Sequence, residues 1–160
     1  MMQFLSFLVV LSFMQFGTFA NHTEVNPFEI RTTLLMETVK ELGITDSYEA
    51  VEVWAKGVQS RNGAMQAAVM DDALQETYIL SLNDNFPNWV TGVSSPWVSS
   101  YQIERQDDDG NRFIVEFVTE TGSGYYATYE VQLTLIEENG CWKISGIGLD
   151  NDELKAYTGF

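Results

Sequence analysis

The stretch from Tyr125 to Leu135, YYATYEVQLTL, limits the fold more than any other part of the chain. Tyr125, Ala127, Tyr129, Val131, Leu133 and Leu135 put an apolar side chain at every second position, and Tyr126, Thr128, Glu130, Gln132 and Thr134 alternate with them. A period of two belongs to a β-strand, whose successive side chains point to opposite faces. The run therefore predicts a half-buried strand with one wet face, the kind found in antiparallel sheets.

The flanking turns set the register. Asn139-Gly140 is a two-residue hairpin signal, since both residues accept the positive φ of a type I′ turn. It pairs Leu135 with Ile144 and Glu137 with Trp142, bringing Trp142 and Ile144 onto the apolar face. Asp108-Asp109-Gly110 suits a three-residue loop with glycine in the left-handed position, pairing Ile103 with Val115 and Tyr101 with Phe117. A similar loop at Gly122-Ser123-Gly124 pairs Phe117 with Tyr129, Val115 with Val131 and Phe113 with Leu133. Three turns read separately place their apolar residues on one face, and that agreement supports the whole register.

Upstream the period is helical. Leu34, Leu35, Val39 and Leu42 mark one face of a helix over Ile30–Leu42, closed by Gly43. Asp46 and Glu49 have capping-box spacing ahead of Val51, Trp54, Ala55 and Val58, so a second helix starts at Thr45 or Asp46. Ser60-Arg61-Asn62-Gly63 interrupts it, and Ala64 to Tyr78 resumes helical composition in two pieces meeting near Asp71. The expected architecture is α+β: N-terminal helices packed on a curved, four-stranded or larger antiparallel meander, in one domain over residues 30–160.

This layout resembles the nuclear-transport-factor-2-like fold (cystatin-like, ketosteroid-isomerase-like), in which helices pack into a curved sheet to form a cone. The words Trp54-Ala55-Lys56-Gly57-Val58-Gln59-Ser60-Arg61-Asn62-Gly63-Ala64 and Gly92-Val93-Ser94-Ser95-Pro96-Trp97 are similar to segments of exported or membrane-anchored domains of that superfamily from Gram-positive bacteria. The resemblance runs from Ile30 to Leu149. It implies a cone, and in the superfamily's enzymes acid/base residues inside it, but no motif here assigns those positions residue by residue.

Residues 1–20, MMQFLSFLVVLSFMQFGTFA, carry no charge, and Thr18 and Ala20 supply small residues for cleavage. They read as a signal peptide, with an uncleaved membrane anchor as the alternative, since about 20 apolar residues also span a bilayer. No Lys or Arg precedes the apolar run, which departs from the usual pattern. Residues 21–29 form a polar arm. The expected location is outside the cell, secreted or on the outer face of the membrane. With Cys141 as the sole cysteine no internal disulfide forms, so packing alone must hold the domain.

Composition and motif exclude several chemistries. The formal net charge is -15, from 23 acidic and 8 basic residues, which repels nucleic acid and anionic membranes. His22 is the only histidine and lies in the arm, so neither a histidine-based triad nor a histidine metal site is expected. Asp107, Asp109, Gly110 and Glu116 have part of a calcium-loop spacing, but Arg105 stands at the first ligand position, and a solvated turn is the simpler reading. Ser94 and Ser95 lack a base and a nucleophile-elbow pattern. No metal or cofactor is expected.

What remains is aromatic. Trp54, Trp89, Trp97 and Tyr101 are candidates to line a cone mouth, with Arg61 beside Asn62 to hold an anionic or carbonyl group. Against this stands the reading in which these aromatics fill the core, and Trp97 is assigned there as the helix-to-sheet corner residue. The expected function is a non-catalytic exported domain that binds a small apolar ligand or an envelope protein. The alternatives are an isomerase- or hydratase-type enzyme using a carboxylate and a tyrosine, and a purely structural envelope protein. The fold analogy adds a homodimer through Tyr126, Thr128, Glu130 and Gln132 on the sheet's open face.

Overall fold

The computed structural model describes Thr33, residues 43–86 and residues 88–160. Thr33 is helical, while the leader, the arm and the rest of the helix expected over Ile30–Leu42 lie outside the described residues. Helix α1 (Ser47–Gln59) begins where the capping signal places it, with the Asp46 carboxylate accepting the Glu49 amide at 2.9 Å. Its buried stripe contains Val51, Trp54, Ala55 and Val58. Helices α2 (Gly63–Ala68) and α3 (Asp72–Asn85) follow, and Asp71 caps α3 through the Leu74 amide at 2.8 Å.

Four strands, β1 (Trp97–Arg105), β2 (Arg112–Thr121), β3 (Gly124–Glu138) and β4 (Cys141–Leu149), form an open antiparallel meander in chain order. Every cross-strand pair expected from the turns is present, including Tyr101 with Phe117, Phe117 with Tyr129, and Leu135 with Ile144. Asn139 and Gly140 turn the last hairpin with φ of 54° and 78°. Asp107 ties the first hairpin by accepting the amides of Asn111 at 2.9 Å and Arg112 at 3.3 Å. Helices and strands share one core of buried side chains, among them Trp54, Met70, Phe113, Phe117, Leu133 and Ile144. Fully burying one such side chain is worth about 1.5–3 kcal/mol, and this is what holds the helices on the sheet.

The α2–α3 junction also covers the edge of the sheet. Ile144 donates to the Val69 carbonyl at 2.8 Å, and Asp71 donates to that of Ile144 at 2.9 Å. These bonds satisfy backbone groups that a bare edge would leave open. A short helix α4 (Leu154–Thr158) buries Leu154 and Tyr157 against the core. Five residues are too few to show a helical period, so the sequence holds no signal for it.

Two expectations fail at one end of the sheet. Trp97, assigned to the core, is 38% exposed, and Tyr125, placed on the apolar face, is 69% exposed. The cause is a pair of β-bulges. The β1–β2 register shifts between Val98 and Ser100, leaving Ser99 as the extra residue. The β2–β3 register shifts between Thr119 and Glu120, leaving Tyr126 unpaired. The second hairpin is accordingly one residue tighter than expected, with Thr121 paired to Gly124. One extra residue reverses the face of everything beyond it, because the side-chain period is two.

Candidate functional site

The six candidate residues fall into three places. Trp54 and Tyr101 both pack on Phe117, with ring centroids 5.9 Å and 6.3 Å away. Trp54 is fully buried and Tyr101 half-buried. The Trp54 indole N–H is buried without a hydrogen-bond partner. Burial raises the Tyr101 phenol above its ordinary range, Lys56 draws it back, and Glu52 raises it further.

Arg61, Asn62 and Trp89 meet at the corner between α1 and α2. Arg61 and Trp89 both take left-handed backbone, with φ of 61° and 55°. This lets Asn62 pair with Val90 as an isolated bridge, and Gly63 donate to the Trp89 carbonyl at 2.9 Å. The Arg61 guanidinium donates to the carbonyls of Thr91 at 2.9 Å and Gly92 at 3.3 Å. Asn62 caps α2 through the Met65 amide at 3.0 Å. The Trp89 indole donates to the Asn83 side chain at 3.0 Å. These polar groups fasten the segment 88–92 to the helices. Gln66 and Thr91 extend the fastening inward through a buried 3.1 Å bond.

Trp97 stands apart from both groups. It is paired with Glu120, which is paired in turn with Tyr125, so one row across three strands reads Trp97–Glu120–Tyr125. Thr119, next to Glu120 on β2, is buried on the core side, so the row lies on the opposite, solvent face. Unbroken alternation would have turned both aromatics inward. The bulges at Ser99 and Tyr126 turn both out, one on each side of Glu120. The Glu120 side chain makes no hydrogen bond or ion pair among the described residues, and its backbone is paired in the sheet. Tyr126, at 49% exposure, adds a further ring at this end, and the Tyr125 hydroxyl lies 3.3 Å from that of Thr128.

The sequence carried the residue types of this patch but not the bulges. Alternation sends Tyr125 inward, and Glu120 has no motif around it. The only trace is negative: Trp97-Val98-Ser99-Ser100-Tyr101 offers Val98 a core position that strict alternation from Tyr101 denies it.

Beside the patch, Tyr129 donates a hydrogen bond to the Glu153 carboxylate. Burial, then this bond and the Glu153 charge, then the neighbouring phenols of Tyr126 and Tyr157, hold the Tyr129 phenol well above the ordinary tyrosine value. Tyr157 is raised for related reasons: burial first, then Tyr126 and Glu153. Glu153 itself is exposed. Elsewhere a shallow depression of about 310 Å³ lies over α3, lined by Asp72, Gln75, Glu76, Ile79 and Leu80. Among the described residues no helix is long and apolar enough to cross a membrane.

No family model matches the chain, and no curated protein matches it either.

Proposed function

We propose that the chain is an exported, non-catalytic interaction domain of nuclear-transport-factor-2-like architecture that engages a protein partner through the exposed aromatic end of its sheet. The observation that carries this reading is the outward turn of Trp97, Tyr125 and Tyr126 at a place where regular pairing would bury two of them. Bulges cost backbone pairing, and they recur where a side chain must be aimed at something other than the core. Exposed aromatic side chains gathered at one place mark interaction surfaces, because a ring buries a large area at little conformational cost.

The small-molecule version of the reading has less support. A ligand site in the cone needs room beside Trp54 and Phe117, and both rings are fully buried against each other. Arg61 and Asn62, the residues expected to hold a polar ligand group, already bond neighbouring backbone through the Arg61 Nε and one terminal nitrogen and through the Asn62 Oδ1. The isomerase or hydratase reading calls for a carboxylate and a tyrosine in an apolar enclosure. Tyr129 and Glu153 form such a pair, but water reaches Glu153 and screens the field that would tune it.

A photoreactive amino acid placed at Tyr125 in the producing cell tests the proposal. A discrete cross-linked partner at Tyr125 and at Trp97, with none at Glu138 on the far hairpin, is the expected result. Equal labelling at all three positions, or none at any, overturns it.

A further inference from the structure

We infer that the Trp97–Glu120–Tyr125 row docks a Lys- or Arg-bearing segment of the partner protein, with one cationic side chain seated between the two rings and against the Glu120 carboxylate. This rests on the interaction-domain reading above and adds the partner's chemistry.

Adjacent strands lie about 4.8 Å apart, so Trp97 and Tyr125 flank Glu120 at roughly that distance on either side. A cation above Glu120 is then within the approximately 6 Å reach over which an aromatic face attracts an ammonium or guanidinium. Two rings on either side of one carboxylate suit a cation and suit an apolar or anionic group poorly.

Glu120 has no cationic partner among the described residues, whose ion pairs lie elsewhere, at Lys56–Glu52, Arg112–Asp107 and Lys155–Asp152. On the same face Glu116 and Glu130 stand directly opposite each other across β2 and β3. Like charges so placed repel, and a cationic partner relieves that repulsion. A second copy of the chain would bring Glu116, Glu120 and Glu130 against their own equivalents, so the sheet-face homodimer fits this surface worse than a basic partner does. The chain's net charge of -15 extends the same preference to long range.

The test is titration of the full chain with a short synthetic peptide of alternating Lys and Thr, followed by tryptophan fluorescence and by calorimetry. A peptide of alternating Glu and Thr is the control. Trp97→Ala, Tyr125→Ala and Glu120→Gln are each expected to weaken binding about three- to tenfold, while Glu138→Gln changes it by less than about twofold. All three row residues are exposed or paired only through backbone, so thermal melts should confirm folded variants. Equal weakening by Glu120→Gln and Glu138→Gln would mean general attraction to an acidic protein, and would overturn the inference. So would failure of the Lys peptide to bind the unaltered chain. A partner still cross-linked at Tyr125 in that case would leave the interaction-domain reading standing without its cationic chemistry. Loss of both results removes both.

Discussion

The Trp54 and Phe117 rings meet 5.9 Å apart at a tilt of 58°, and neither side chain has any exposed surface. This contact joins α1 to the middle of β2 and fills the centre of the sheet's covered face. Phe117→Ala should therefore cost about 3–5 kcal/mol, as expected for removing a buried ring. Trp97→Ala should cost clearly less, about 1–2 kcal/mol, because Trp97 is 38% exposed and only part of its ring is covered. Denaturant unfolding of the two variants checks the contrast. Similar losses for both would place Trp97 back in the core and withdraw the outward face from the functional argument.

Arg61 answers a different question, whether the α1–α2 corner is a ligand site or a fastening. Its guanidinium bonds two carbonyls of the segment 88–92. Hydrogen bonds from a charged donor are worth about 1.5–3 kcal/mol, and leaving the carbonyls partly buried adds to the loss. Arg61→Ala should lower stability by about 1.5–3 kcal/mol in a thermal or denaturant melt, with partner cross-linking at Tyr125 unchanged once the variant is folded. A stable variant with abolished partner binding would make Arg61 an anchor after all.

The register of four strands followed from three turns, since positive φ at Asn139, Gly140 and Gly110 leaves few loop geometries. The cap at Asp46 and the break at Ser60–Gly63 were equally plain, because capping residues and glycine act locally. The bulges at Ser99 and Tyr126 were not. A bulge is decided by how the whole sheet packs on its helices, and alternation read along one strand has no term for it. Trp54 lies in the core, and Arg61 and Trp89 bond neighbouring groups, for reasons independent of the bulges. Tyr125 and Glu120, which alternation hides, came to flank and complete the surface around Trp97.

Two glycines with positive φ separate conformational cost from crowding. Gly140, at φ 78°, has open space where a Cβ would stand, whereas a Cβ on Gly159, at φ 85°, would lie 2.8 Å from the Tyr78 hydroxyl and 2.9 Å from a Thr91 methyl. Alanine at Gly140 should cost about 1–2 kcal/mol, the usual penalty of left-handed backbone. Alanine at Gly159 should add a further 1–3 kcal/mol or so for overpacking. It should also loosen the contact between Tyr78 and Phe160, whose rings lie 4.9 Å apart. Equal costs in denaturant unfolding would show that the Gly159 surroundings yield freely.

Tyr129 predicts how stability responds to alkali. Its phenol is held above the ordinary value of 10.0 by burial, by its bond to Glu153 and by that carboxylate's charge. The unfolded chain releases this proton near pH 10.0, while the native state keeps it. Above that pH the native state binds more protons than the unfolded one, so stability falls as pH rises. Below it the contribution is fully present. Tyr129→Phe removes the titrating group and should make the loss between about pH 9 and pH 11 shallower, although the phenols of Tyr78, Tyr101 and Tyr157, raised in the same direction, keep some slope. At neutral pH the variant should lose about 1–2 kcal/mol, the low end for a hydrogen bond to a charged group because Glu153 is exposed. Denaturant midpoints measured across that range for both proteins decide the matter, and parallel curves would mean that Tyr129 titrates as freely in the native state as in the unfolded chain.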